Sequence, residues 1–163
     1  MPICRAFEEF PVAVRVCSLI RKVDQVIPSG GYHIVRFPYG DAESYDAHGM
    51  HQADPTVSDW DEDDRSGLIW PTVDGWADLT ANLHWESGDY SELRDRFVRD
   101  PLGAPDSTGT DHRPPSPGMQ CFTKRHSIFV HPGTPVSLLV AHNDGRSRRL
   151  VHAQFKLAIH PTT

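Results

Sequence analysis

The stretch of sequence that decides the fold is Trp70-Pro71-Thr72-Val73-Asp74-Gly75-Trp76 and its continuation through residues 77–86. After the Asp-Gly turn, every second side chain is apolar: Ala77, Leu79, Ala81, Leu83 and Trp85. The positions between them are polar: Asp78, Thr80, Asn82, His84 and Glu86. Alternation with a period of two buries one face of a β-strand and exposes the other, whereas a helix would spread these polar residues around its circumference. The stretch therefore predicts a long, half-buried strand.

Similar patterns recur outward from this strand. Strands are predicted at residues 12–20, 32–37, 76–86, 93–99, 119–130, 135–142 and 150–160, with a further short one at 44–47. In the first strand Val12, Val14, Val16 and Ile20 share one face, and Cys17 lies opposite. A helical turn is the alternative at 93–99, where few residues are apolar. Seven or eight short strands without a credible long helix predict an all-β fold, an antiparallel β-sandwich or jelly roll.

Two segments are predicted loops. Residues 38–65 are mostly polar, and residues 100–118 contain five prolines together with several glycines and serines. The chain as a whole has 163 residues, with 14 prolines and 12 glycines, which suits one domain of short strands and many turns. We expect that domain to span residues 12–163. The apolar and acidic segment at residues 1–11 is either a segment that docks on a partner or a frayed terminus, and the sequence leaves both alternatives open.

Charge and hydropathy argue against two classes of partner. The formal net charge of −6 does not suit nucleic acid, whose phosphates require a clustered basic surface. The dense basic group Arg146, Arg148 and Arg149 is predicted to be a solvated hairpin tip. No apolar stretch approaches the roughly 18 residues that a membrane helix needs, and the N-terminus does not resemble a secretion signal. We therefore expect neither a nucleic-acid partner nor a membrane partner.

The three cysteines are Cys4, Cys17 and Cys121, and none belongs to a CxxC motif. An odd number at irregular spacing fits neither a disulfide framework nor a zinc site, and it favours synthesis in a reducing cytoplasm. One disulfide between Cys17 and Cys121 stays open, because both lie in predicted strands.

The ten histidines and the acidic residues give only weak support for a metal site or a catalytic site. The best candidate ligands for a transition metal are His48 and His51 with Asp46 and Asp54, but their spacing matches no established site. An acidic run surrounds Trp60 and consists of Asp59, Asp61, Glu62, Asp63 and Asp64. Clustered carboxylates are ligands that calcium prefers, but this run lacks the pattern of an EF-hand loop. No nucleophile elbow and no phosphate-binding glycine loop occurs. We expect no enzyme, no metal and no cofactor.

Four pieces in a fixed order carry a resemblance to a known family. They are an Ile-Pro turn and short strand at residues 27–37, an acidic and aromatic loop ending in Gly-Met at 45–50, the Pro-x-x-Asp-Gly-Trp strand at 71–85, and a Pro-Gly-x turn before a buried strand at 132–140. Together they resemble the C1q/TNF-like jelly roll, in the compact form common among phage virion proteins. The sequence departs from the family pattern in two places: the long loop at 101–117, and a last strand without the family's aromatic-Ser-Phe-x-Gly ending.

The resemblance implies a homotrimer of sandwiches around a threefold axis. A physical reason stands beside it, since Trp76, Tyr32 and Leu139 fall on the otherwise polar side of their strands. Packing against a neighbouring subunit would remove their apolar area from water, as would loops of the same chain, and the sequence leaves both alternatives open.

The leading functional hypothesis is a non-enzymatic virion structural protein of a phage, made in the host cytoplasm and displayed on the particle. It would decorate or stabilise the capsid by binding the major capsid protein or another virion protein. The alternative is a tail or fibre module that binds a host-surface glycan, with Trp60 and Tyr90 as surfaces for sugar stacking. A small cupin-like enzyme ranks last, because its His-x-His motif is absent.

Overall fold

The computed structural model describes residues 12–40, 45–52 and 54–162 of the chain. The segment at residues 1–11, with its predicted docking role, lies outside the described residues. Nine strands occur in the part described: β1 (Arg15–Arg21), β2 (Gln25–Ile27), β3 (His33–Ile34), β4 (Gly75–Trp85), β5 (Leu93–Arg99), β6 (Asp106–Arg113), β7 (Gln120–Val130), β8 (Val136–His142) and β9 (Arg148–Pro161). A short 3-10 helix spans Asp64–Gly67. Within these residues we find no helix with the length and apolar character needed to cross a membrane.

The strands form two antiparallel sheets. The five-stranded sheet has the order β1-β9-β4-β7, with β2 also paired to β9, and the four-stranded sheet has the order β3-β8-β5-β6. The inward side chains of both sheets form one core; Phe155 of β9, for example, stacks on Phe97 of β5 with ring centroids 5.7 Å apart. Burying a large apolar side chain contributes about 1.5 to 3 kcal/mol, so the alternation holds the layers together. The predicted antiparallel β-sandwich is confirmed.

Strand β4 is buried on one face, as its alternation predicts. Every inward residue of β4 from Ala77 to Trp85 is at most 1% exposed. The strand lies between β9 and β7, and pairs with them over its whole length. Residues 93–99 form a strand rather than the alternative helical turn.

The loop predicted at residues 100–118 is wrong in part, because β6 occupies its middle. This strand contains no apolar residue apart from a glycine, so no hydrophobic alternation marks it in the sequence. It lies at the edge of the four-stranded sheet and is held by backbone pairing with β5. The register of that pairing shifts between Asp95 and Phe97, and the nearby Gly109 takes a φ of +55°, which glycine adopts without steric cost.

The disulfide alternative between Cys17 and Cys121 is also wrong, because both thiols are free. Their strands, β1 and β7, are separated by two others in the sheet, which places them about 14 Å apart at a strand spacing of about 4.8 Å. A disulfide requires Cα atoms within about 7 Å. Cys17 is buried in the core, and Cys121 is exposed on the outer face.

The buried face of β1 carries Cys17, Leu19 and Arg21 rather than the face on which the sequence groups Val16 and Ile20. The predicted strand at 32–37 shortens to His33–Ile34. Of the predicted strand at 44–47, Tyr45 pairs with Ser18 of β1 as an isolated bridge.

Candidate interaction site

An aromatic group interrupts the polar outer face of the five-stranded sheet. Trp76, the first outward residue of β4, is 57% exposed. Its cross-strand neighbours are Phe129 of β7 and His160 of β9. The Trp76 ring meets Phe129 edge-on at 5.7 Å, and Phe129 in turn meets His131 at 5.0 Å. We call Trp76, Phe129, His131 and His160 the Trp76 cluster.

Two carboxylates border the Trp76 cluster. His160 Nε2 lies 3.1 Å from Asp78 Oδ2, and His131 Nδ1 lies 3.0 Å from Asp74 Oδ1. The hydroxyl of Ser127 donates to Asp78 at 2.6 Å and, with His160, lowers the pKa of Asp78. These pairs are exposed and each contributes at most about 1 kcal/mol to stability. An aromatic centre with a polar border is the composition of protein–protein contact surfaces.

Tyr32 and Leu139, the other two predicted interface residues, lie on the outer face of the opposite sheet. The structure brings them together with Ile34 and Val98 in a small second cluster. Leu139 is 8% exposed, so the single chain already covers it. A neighbouring subunit would therefore remove little further apolar area of Leu139 from water. Tyr32 is half-buried, with the Arg96 guanidinium 3.7 Å from its ring centroid. Their part in a trimer contact stays a prediction.

Three of the five carboxylates of the acidic run are paired with arginines. The ion pairs are Arg21–Asp61 at 2.6 Å, Arg36–Asp64 at 2.9 Å and Arg65–Asp63 at 2.6 Å. The hydrogen bond from Arg65 lowers the pKa of Asp63 to about 2. Carboxylates engaged by guanidinium groups are poor ligands for a further cation, whereas Asp59 and Glu62 stay exposed.

Two of the residues proposed as metal ligands, Asp46 and His51, are engaged in other contacts. Both oxygens of Asp46 accept backbone N–H groups, from Met50 at 2.7 Å and from His51 at 2.8 Å. His51 Nε2 lies 2.7 Å from the Ser66 carbonyl oxygen, and burial lowers the pKa of His51. His48 is exposed. Across residues 12–40, 45–52 and 54–162, no group of three or more His, Cys, Asp or Glu side chains has the arrangement of a metal site.

Of the two aromatic residues proposed for sugar stacking, Tyr90 is buried and Trp60 is partly covered. Tyr90 is 6% exposed and packs edge-on against Trp85 and His142, and its hydroxyl donates to the Glu86 carbonyl oxygen at 2.8 Å. Trp60 is half-buried, and the buried Arg21 guanidinium lies 5.0 Å from its ring centroid.

A cavity that the sequence did not predict lies beside these loops. Its volume is about 360 Å³, and its lining residues are Tyr39, Gln52, Asp54, Pro55, Arg65, Leu68 and Trp70. Trp70 opens the stretch of sequence that predicts β4, but nothing in the alternation indicates that its ring would line a cavity. The residues all come from the long connection between β3 and β4, and only the folded chain brings its separate parts together.

Comparison with known proteins shows the fold. No family model matches the sequence, and no curated protein matches it. Among solved structures, the globular domain of zebrafish complement 1qA protein is 16% identical, with 88% of this chain and 94% of that domain covered at a TM-score of 0.58. Murine APRIL at pH 5.0 is 10% identical, with 90% and 99% covered at a TM-score of 0.60. Murine APRIL at pH 8.0 is 8% identical, with the same coverage and a TM-score of 0.59.

The class of protein that these likenesses define is the antiparallel jelly roll of the C1q/TNF type. At sequence identities this low, the likeness shows the fold of this chain and does not show a binding partner. The sequence resemblance to that type is therefore confirmed in its architecture.

Proposed function

We propose that this protein is a non-enzymatic phage virion structural protein, a homotrimeric jelly roll that decorates or stabilises the capsid. The observation that carries the trimer is the Trp76 cluster. A tryptophan that is 57% exposed on the outer face of a sheet leaves a large apolar area in water, which a second copy of the chain would remove.

Its position supports a subunit contact rather than coverage by the same chain. Trp76 lies on the outward side of a sheet whose inward side forms the core, and it leans on Phe129 in a fixed edge-to-face geometry. A rigid aromatic with a polar border is the kind of residue that dominates the free energy of protein association. The virion role itself rests on the sequence resemblance.

The native mass of the purified protein, measured by light scattering with and without EDTA, tests the oligomer. We expect a trimer in both conditions and a shift towards monomer in Trp76→Ala. The matched control is Tyr45→Ala, since Tyr45 is equally exposed at 57% but lies at the edge of β1. A wild-type monomer, or a trimer indifferent to Trp76→Ala, would contradict the contact. A trimer that dissociates in EDTA would require a bound cation instead.

The capsid role requires a separate measurement. Purified trimer, added to capsids that lack it, should bind in a fixed ratio to the major capsid protein and raise the temperature at which the particles open. Binding to tails alone, or to host cells with no binding to capsids, would favour the receptor-binding alternative.

A further inference from the structure

The cavity lined by Trp70 and Tyr39 has the size and the mixed composition of a small-molecule site. Its volume of about 360 Å³ lies within the range of about 300 to 1,000 Å³ found for ligand pockets. It is distinct from the Trp76 cluster, since none of its lining residues belongs to that cluster. What it can bind therefore goes beyond the proposed trimer and does not depend on it.

The apolar side of the cavity is aromatic. Trp70 is half-buried. Its backbone N–H donates to the Met50 carbonyl oxygen at 2.7 Å, which holds in place the backbone that carries the ring. Tyr39 stacks on His51 with ring centroids 4.6 Å apart. The Tyr39 hydroxyl is covered, so this residue offers the cavity ring surface rather than a polar contact. Leu68 completes the apolar lining.

The polar side of the cavity combines an acceptor with a donor. Asp54 Oδ1 accepts from the backbone N–H and the hydroxyl of Thr56, at 2.8 and 2.7 Å, and Oδ2 accepts from Arg65 NH1 at 3.0 Å. These bonds lower the pKa of Asp54 and hold the carboxylate in place as an ionised acceptor. Gln52, whose amide both donates and accepts, is also a lining residue.

The charges around the cavity select against ionic ligands. Arg65 pairs with Asp63 as well as with Asp54, so its positive charge is matched by two carboxylates. An anion would meet these carboxylates, and a cation would meet the guanidinium in the lining. A neutral ligand with hydroxyl groups can donate to Asp54 and accept from Gln52 without an ionic conflict.

From these contacts we propose that the cavity binds a neutral saccharide, with the apolar face of one sugar ring on Trp70 and its hydroxyl groups on Asp54 and Gln52. Aromatic rings suit the C–H face of a pyranose, and fixed carboxylate and amide groups suit its hydroxyls. The site replaces the stacking surface that the sequence placed at Trp60 and Tyr90.

Saturation-transfer NMR on the full-length protein tests the proposal, with glucose, galactose, mannose and N-acetylglucosamine as probes. We expect saturation of at least one of these sugars. Trp70→Ala should weaken its affinity by about tenfold, as expected for loss of an aromatic stacking partner, and Asp54→Asn should also weaken it. Tyr45→Ala, which changes an exposed aromatic residue outside the lining, should leave binding unchanged.

Melting curves of each variant by circular dichroism separate loss of the site from loss of the fold. If Trp70→Ala unfolds, Asp54→Asn and Gln52→Ala carry the test, because neither side chain contributes to the core. No saturation of any of the four sugars would overturn the proposal, as would binding that survives Trp70→Ala. Selective binding of sialic acid or of choline in place of the neutral sugars would overturn it too. The native mass of the trimer is a separate readout, so failure of one proposal leaves the other distinguishable.

Discussion

Arg21 is a buried charged residue whose burial the sequence pattern does not predict. Its side chain is fully buried, and its guanidinium donates to three backbone carbonyl oxygens, those of Val23, Asp24 and Arg36. It also pairs with Asp61, forty positions further along the chain. A charge is buried only where such partners exist, and no local pattern indicates partners this distant. Alternation alone therefore does not identify the inward face of β1.

His51 makes stability depend on pH. Burial lowers the pKa of His51 below its ordinary value of 6.5, so the folded protein takes up a proton less readily than the unfolded chain. As the pH falls through about 6.5, the unfolded chain is protonated first, and the stability that neutral His51 contributes is lost. We expect the melting temperature to fall between about pH 7.5 and pH 5, and His51→Gln to reduce that fall.

The control for this measurement is His48→Gln, because His48 is exposed and only three residues away. It should retain the pH dependence of the wild type. Equal slopes for all three proteins would assign the pH dependence to other groups.

At the scale of the element, β6 is held to the opposite sheet by buried charges. Lys124 of β7 is 1% exposed; its Nζ lies 3.1 Å from Asp95 Oδ1 and also contacts Asp111. Arg113 of β6 donates to the other oxygen of Asp95 at 2.7 Å. Asp95 thus joins three strands at the edge where the two sheets lie closest.

Removing Asp95 leaves a buried ammonium group with one partner fewer. We expect Asp95→Leu to lower the free energy of unfolding by about 3 to 5 kcal/mol in urea titrations. The double variant with Lys124→Met should recover most of that loss, because it removes the uncompensated charge as well. A loss below about 1 kcal/mol in the single variant, or no recovery in the double, would show that the network carries little stability.

The same element marks the limit of prediction from sequence. β4 and β9 carry long alternations, so their bounds and inward faces follow from residues such as Leu79 and Leu157. β6 has no apolar side chain to alternate, and its strand exists because β5 offers a backbone partner. The cavity could not be predicted either, since Tyr39, Arg65 and Trp70 meet only through the path of the loops. Trp76 was predicted as an outward aromatic because it breaks a clear polar pattern.

At the scale of the whole molecule, the first and last strands are neighbours. β9 pairs with β1, β2 and β4, so the five-stranded sheet closes only once β9 is in place. We expect the amides of β4 and β9 to exchange with deuterium most slowly, through global unfolding, and those of β6 to exchange fastest among the longer strands. Hydrogen exchange followed by mass spectrometry measures this. Protection of β6 equal to that of β4 would show that the edge opens only with the core.

The pairing of β1 with β9 also determines at which end of the sandwich the protein can be attached to a support. Arg15 lies opposite Ile159, and Pro161 lies opposite Gly75, so the described chain enters and leaves at one pole of the sandwich. Trp76 lies at that same pole, whereas the turn that follows β8 lies at the other, beside Glu86. A support joined at Arg15 or at Pro161 would stand close to Trp76 and hold the distal turn outward. Peptides inserted at Gly145, in that turn, would then be presented away from whatever the protein is anchored to.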